Sequence, residues 1–119
     1  MIGFQAIDGY KTKYKIIKEG SGWKRVKPKT IVTVHATGIV KETGEIFWST
    51  KGKQQPFMYE HGAGQVVTGW EQGCLGMRVG EKRQLIIPAA EGFGVSGKPE
   101  RGIPPGATIE FTIHVREIL

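Results

Sequence analysis

Near its C-terminal end the chain alternates strictly. Ile109, Phe111, Ile113 and Val115 are apolar, and Glu110, Thr112, His114 and Arg116 between them are polar or charged. Successive side chains of a strand point to opposite faces. Period-two alternation over eight residues therefore predicts a sheet with one buried face and one wet face. Such a sheet is typically antiparallel. The rest of the chain has to supply its partner strands and something to cover its apolar side.

Eighteen glycines and six prolines break the remainder into short segments, the pattern of strands joined by turns. Thr12–Lys18 alternates loosely ahead of Gly20 and Gly22. Ile31–Val40 is rich in β-branched residues and reads as a strand. Thr43-Gly44 reads as a turn and Ile46–Thr50 as the returning strand. Phe57–His61 is another short candidate, and Lys82–Ile87 stops at Pro88. One helix is expected: Val67, Trp70, Cys74 and Met77 make a single apolar stripe at helical spacing. Thr68 is its expected N-cap, Glu71 the box partner, and Gly80 its exit. Gly69, Gly73 and Gly76 each weaken a helix by about 1 kcal/mol relative to Ala. Packing must hold it, with the glycines permitting close backbone approach. The expected fold class is α+β: an antiparallel sheet of about five strands with one short helix against it. Residues 1–11 are read as an N-terminal arm and 12–119 as one domain.

The chemistry-bearing residues exclude more than they offer. Asn is absent and Asp8 is the single Asp, which removes glycosylation sequons and Asp-rich metal loops. Cys74 is the one cysteine, so there is no internal disulfide or cysteine pair, and a reducing compartment is the default. It lies on the apolar stripe and reads as a small buried hydrophobe. His35, His61 and His114 lack ligand spacing and read as surface or turn residues. Ser21, Ser49 and Ser96 sit in no nucleophile elbow, and Gly62-Ala63-Gly64 is no phosphate loop. No metal, cofactor or membrane span is expected, and the cytosol or nucleus is the expected address. The net charge is +6, concentrated in Lys11, Lys13, Lys15, Lys18, Lys24, Arg25, Lys27 and Lys29. A solvated strand face and loop explains it, with weak nucleic-acid binding as the second reading. What remains is an aromatic and aliphatic inventory, which points to a binding pocket.

Four blocks then converge: Val34-His35-Ala36-Thr37-Gly38, Gln65 through Gly73, Met77-Arg78-Val79-Gly80-Glu81, and Ile103 through Phe111. In order and spacing they resemble the FK506-binding protein family of prolyl isomerases, across roughly Lys15 to Leu119. The resemblance implies a strongly twisted sheet wrapped around a short helix, with a pocket between them. It implies Trp70 as the floor under a proline ring. Phe47, Phe57 and Phe111 follow as aromatic walls, and Val66, Val67 and Ile103 as aliphatic ones. The N–H of Val67 and the carbonyl of Gln65 match positions that bond a ligand main chain. The segment Ala89–Pro105 resembles the flap, in which Phe93 stands where the family usually has Tyr and one residue is extra (Glu91 or Gly92). Ala36 replaces another Tyr, and Trp48 replaces an Asp.

Those departures imply a drier pocket with fewer polar handles, in which Trp48 either extends the wall or partly fills the space. The implied activity is cis-trans isomerisation of X–Pro bonds in peptides and proteins, with weakened binding of rapamycin-type macrolides. The alternative is a non-catalytic binding module for a protein partner or nucleic acid. A monomer is expected.

Overall fold

The computed structural model describes residues 3–52 and 55–119. Its strands run in chain order as β1 (Gln5–Ile7), β2 (Tyr10–Lys18), β3 (Ser21–Arg25), β4 (Ile31–Val40), β5 (Ile46–Ser49) and β6 (Phe57–Glu60). The helix α1 (Thr68–Cys74) follows, then β7 (Arg78–Val79), β8 (Lys82–Ile87) and β9 (Ile109–Ile118). A seven-stranded antiparallel sheet is ordered β1-β2-β8-β9-β4-β5, with β6 also paired to β4, while β3 and β7 form a separate ribbon. The ten-residue β4 organises the sheet. One edge takes β9 along its length, and the other takes β6 and then β5.

The expectation of about five strands was too low for a physical reason. Buried and wet positions alternate cleanly in β4, β8 and through Val115 of β9. In β3 every residue is exposed, and β7 has two residues, so neither carries a burial pattern. The segment expected as a loose arm holds β1, which pairs with β2 through Gln5–Tyr14 and Ala6–Lys13, and β2 itself begins at Tyr10.

Leu85, Ile87, Ile109 and Ile113, expected in the core, are completely buried, as is Met77, and Val115 nearly so. The helix packs on β2 and β8. A methyl group on Gly69 would fall 2.5 Å from Ile87 Cγ2, and one on Gly73 2.7 Å from Leu85 Cδ2. The helical glycines therefore let the backbone approach the sheet more closely than alanine allows.

The helix ends differ from expectation. Val67 is the N-cap, in extended backbone and without a side-chain cap bond, and Thr68 is already helical. Glu71 accepts from the Gly64 N–H at 3.2 Å instead of boxing the terminus. The helix stops at Cys74, well before Gly80, which turns between β7 and β8 with φ 87°. Met77 is therefore core without being helical.

One core-facing position of β8 is charged. Arg83 is 7% exposed and pairs with the still more buried Glu81 at 2.6 Å. Its Nη1 donates to the carbonyls of Gly73 at 2.9 Å and Leu75 at 3.1 Å. The guanidinium also lies 4.5 Å from the Tyr14 ring centroid. It thus satisfies carbonyls at a helix end whose last turn contains no basic residue.

Candidate active site

The N-terminus of α1, the inner ends of β5, β6 and β9, and the loop after β8 enclose one apolar cleft. Its volume is about 970 Å³, and it is lined by Phe47, Trp48, Phe57, Gly64, Gln65, Val66, Val67, Trp70, Phe93, Lys98, Arg101, Ile103 and Phe111. Local sequence accounts for this convergence. Phe111 faces inward by the alternation of β9, while Trp70 sits in the first turn of a helix drawn onto the sheet by its glycines. Phe47 and Trp48 leave β5 together, beside Gly38 of β4, where the lack of a side chain leaves room for both the Phe47 and Phe111 rings.

Trp70, 2% exposed, lies beneath the others. Its ring centroid is 4.8 Å from Phe111, 5.9 Å from Phe57 and 6.1 Å from Trp48. Phe47 meets Phe93 at 6.0 Å and Phe111 at 5.8 Å, both edge to face. These are favourable aromatic geometries, and they lock the walls to one another. Trp48 packs edge-on to Phe57 at 5.4 Å and to Phe111 at 6.2 Å. It extends the apolar wall while lining the open cleft.

Of the site residues expected from sequence, Ala36 alone does not reach the cleft. It is buried in β4 opposite Ile113, with its N–H donating to the Thr50 hydroxyl oxygen at 2.9 Å. A methyl group is too short to extend from there into the cavity. The N–H of Val67 and the carbonyl of Gln65 have no partner among the described residues, although the Val67 carbonyl receives Trp70 and Glu71 N–H groups. The Gln65 side chain is occupied, accepting from Glu60 N–H at 3.0 Å.

The flap is held at both ends. Lys98 and Ile103 exchange backbone hydrogen bonds of 2.9 and 3.1 Å. Gly97 has φ 63°, and a side chain there would collide with the Pro104 and Ile103 carbonyls. At the other end the Glu91 carboxylate accepts from the N–H groups of Lys11 and Thr12 and from the Thr12 hydroxyl, at 2.6–2.8 Å. Partial burial would raise the Glu91 carboxyl, but these three donors outweigh it and hold it below the usual carboxylate range.

Sequence reasoning missed Gly64 and the two cations, Lys98 and Arg101, that line the mouth of the cleft. It also missed the layer behind Trp70. His61, expected as a surface or turn residue, is at a turn but only 2% exposed. Its Nδ1 lies 3.1 Å from the Tyr59 hydroxyl, and the Tyr59 ring is 5.8 Å from Trp70. Burial lowers the His61 pKa below 6.5 and raises the Tyr59 phenol. Burial likewise pushes the Cys74 thiol up to about 12, which leaves it without nucleophilic character at neutral pH.

A family model described as FKBP-type peptidyl-prolyl cis-trans isomerase matches residues 22–116. The chain therefore belongs to the FKBP-type peptidyl-prolyl cis-trans isomerase family. It is 37% identical over 107 residues to the peptidyl-prolyl cis-trans isomerase FKBP12 of Arabidopsis thaliana, covering 87% of this chain and 95% of that protein. Identity to the peptidyl-prolyl cis-trans isomerase FKBP2 of Homo sapiens is 44% over 88 residues, 74% of this chain and 61% of the relative. Identity to FK506-binding protein 2B of Rhizopus delemar is 47% over 91 residues, 73% of this chain. That match spans 41% of the Rhizopus protein, so the chain corresponds to less than half of that relative. No helix among the described residues is long and apolar enough to cross a membrane.

Proposed function

We propose that this chain catalyses cis-trans isomerisation of X–Pro bonds in protein substrates, with the prolyl ring seated on Trp70 and the reacting amide between Phe47, Phe93 and Phe111. The observation that carries this reading is a cleft walled by six aromatic rings, with no carboxylate, imidazole or thiol among its lining residues. Isomerisation needs none of these. Its barrier of about 18–20 kcal/mol is amide resonance, and the twisted amide is less dipolar than either planar form. A dry cavity favours the twisted state relative to water. A substrate main chain bonded to Val67 N–H and the Gln65 carbonyl would be held in one pose. A few kcal/mol of differential stabilisation accelerates exchange by about a hundred- to a thousandfold.

The same cleft would take macrolides of the rapamycin class, less tightly than in family members with polar handles, because Ala36, Trp48 and Phe93 supply none. Restoring them by Phe93→Tyr and Trp48→Asp should raise macrolide affinity more than tenfold, at about 1–1.5 kcal/mol per recovered hydrogen bond. A monomer working in the cytoplasm is the state and place proposed. The deciding experiment is a protease-coupled assay on a proline peptide, run against the uncatalysed rate. Catalysis that falls with Phe47→Ala in folded protein supports the reading. A wild type that gives no acceleration at high concentration refutes it.

A further inference from the structure

A second concave site lies away from the prolyl cleft. It is a cavity of about 380 Å³ lined by Trp23, Lys24, Arg25, Lys27, Thr30, Ile118 and Leu119. Trp23 is 85% exposed. In the ribbon of β3 with β7, Ser21 pairs with Val79 and Arg25 with Arg78, so the three residues between them bulge out of register. Gly22, at φ 91°, makes the bend, and Trp23 stands at its apex.

The base of the bulge is fixed. Val26 is buried and exchanges hydrogen bonds of 2.8 and 2.9 Å with Met77 and Gly76, and Arg25 donates to the Gly76 carbonyl at 2.9 Å. A large indole is thus displayed to solvent on a rigid support, where it contributes nothing to the core. Its surroundings are cationic. Lys24 Nζ is 5.9 Å from the Trp23 ring centroid, and Arg25 and Lys27 line the same cavity. No Asp or Glu side chain lines the cavity.

We propose that this face binds an acidic peptide segment of a partner protein, with one apolar side chain of the segment entering the cavity. Trp23, Ile118 and Leu119 provide apolar contact for the anchor, and Lys24 and Lys27 provide charge complementarity for flanking carboxylates. A single-stranded nucleic acid fits less well. Such proteins stack successive bases on several aromatic side chains, and this cavity has one. The neutral hydrogen-bonding side chain here, Thr30, is already engaged with both backbone groups of Lys27, so a base edge would find no free partner.

The test uses a labelled, proline-free peptide of glutamates and leucines around a central phenylalanine, followed by fluorescence anisotropy against the full chain. Binding should weaken as salt rises. Trp23→Ala and the charge reversal Lys24→Glu/Lys27→Glu should each reduce affinity by about tenfold or more, a loss of about 1.4 kcal/mol or more. Both should leave X–Pro turnover and melting temperature unchanged. Equal binding by wild type and Trp23→Ala overturns the proposal. So does tighter Trp23-dependent binding of an oligothymidylate than of the peptide, which would assign the face to nucleic acid. Self-association that depends on Trp23, with no peptide binding, overturns it in favour of a second copy of the chain.

Discussion

Replacing Gly38 by alanine tests whether the walls of the cleft are held as tightly as their packing implies. Gly38 lies in β4, opposite Trp48 on one side and Phe111 on the other. An added Cβ would fall 2.6 Å from Phe111 Cε1 and 2.6 Å from Phe47 Cζ. Ordinary carbon contacts are about 3.5–4.0 Å, so each ring must retreat by roughly 1 Å. Retreat disturbs their neighbours or the cleft: Phe111 packs 4.8 Å from Trp70 and Phe47 6.0 Å from Phe93, and both rings line the cavity. Overpacking of this kind costs about 1–3 kcal/mol. Each kcal/mol should lower the melting temperature by roughly 3–6 °C in a domain of this size. Misplacing the walls by roughly 1 Å should also reduce kcat/KM for a proline peptide by about tenfold or more. Circular dichroism gives the first quantity, and the protease-coupled assay, run below the variant's melting transition, gives the second. Wild-type stability together with wild-type turnover would refute the reasoning, since the rings would then be free to yield.

Other consequences follow from buried polar groups and from charge at the mouth. Arg83→Ala should destabilise the fold by about 3–5 kcal/mol, seen in denaturant unfolding, because it strands buried Glu81 and unbinds two carbonyls at the helix end. Glu91→Gln should cost about 1–3 kcal/mol and raise hydrogen exchange in the flap. Because the folded Glu91 pKa is lowered, the clamp's stabilisation is present above the ordinary carboxylate pKa and lost as pH falls through the lowered value; the variant should lack that acid-dependent loss. His61 is held neutral by burial with its pKa below 6.5, so the unfolded chain binds the proton first and stability should fall as pH drops below about 6.5. Urea midpoints measured across that range should be flatter for His61→Gln. With Lys98 and Arg101 at the mouth and no carboxylate in the lining, a peptide with Glu before proline should turn over about two- to fivefold faster than one with Lys at low salt. The difference should shrink as salt rises, and Lys98→Ala/Arg101→Ala should remove it.

The parts of the fold that were legible from sequence are those in which burial repeats along the chain. The inward residues of β4, β8 and β9 follow the strand period, and Val67, Trp70 and Cys74 follow the helical one. Elements held by long-range partners left no such trace. Glu91 reads as an extra loop residue until its three donors on β2, about eighty positions earlier, are seen. Arg83 breaks an otherwise apolar face, and its partners Glu81, Gly73 and Leu75 are set by tertiary packing. Thr68 has the right composition for a cap, yet it is already helical and the N-cap is the extended Val67 one residue earlier. The aromatic walls were legible through resemblance. The cationic mouth was not, because Lys98 and Arg101 reach the cleft through the flap's backbone pairing of Lys98 with Ile103.

The walls of the cleft are also part of the hydrophobic core, and this sets a limit on how the site can change. Trp70 and Phe111 are buried core residues, and Phe47, Trp48, Phe57 and Phe93 pack directly against that core. Enlarging the cleft by truncating Phe111 removes both a cleft wall and about 3–5 kcal/mol of packing. A domain's whole stability is only about 5–15 kcal/mol, so few such losses can accumulate. Substitutions at the rim are less constrained, since Lys98 and Arg101 are exposed and Trp48 and Phe93 are only partly buried. The departures from the family pattern at Trp48 and Phe93 lie on that partly exposed layer. The third, Ala36, is buried but lies outside the cleft. The physical consequence is a floor that can hardly vary beneath a lip that can, so differences in ligand preference should arise at the lip while Trp70 and Phe111 keep the apolar surface of the cleft.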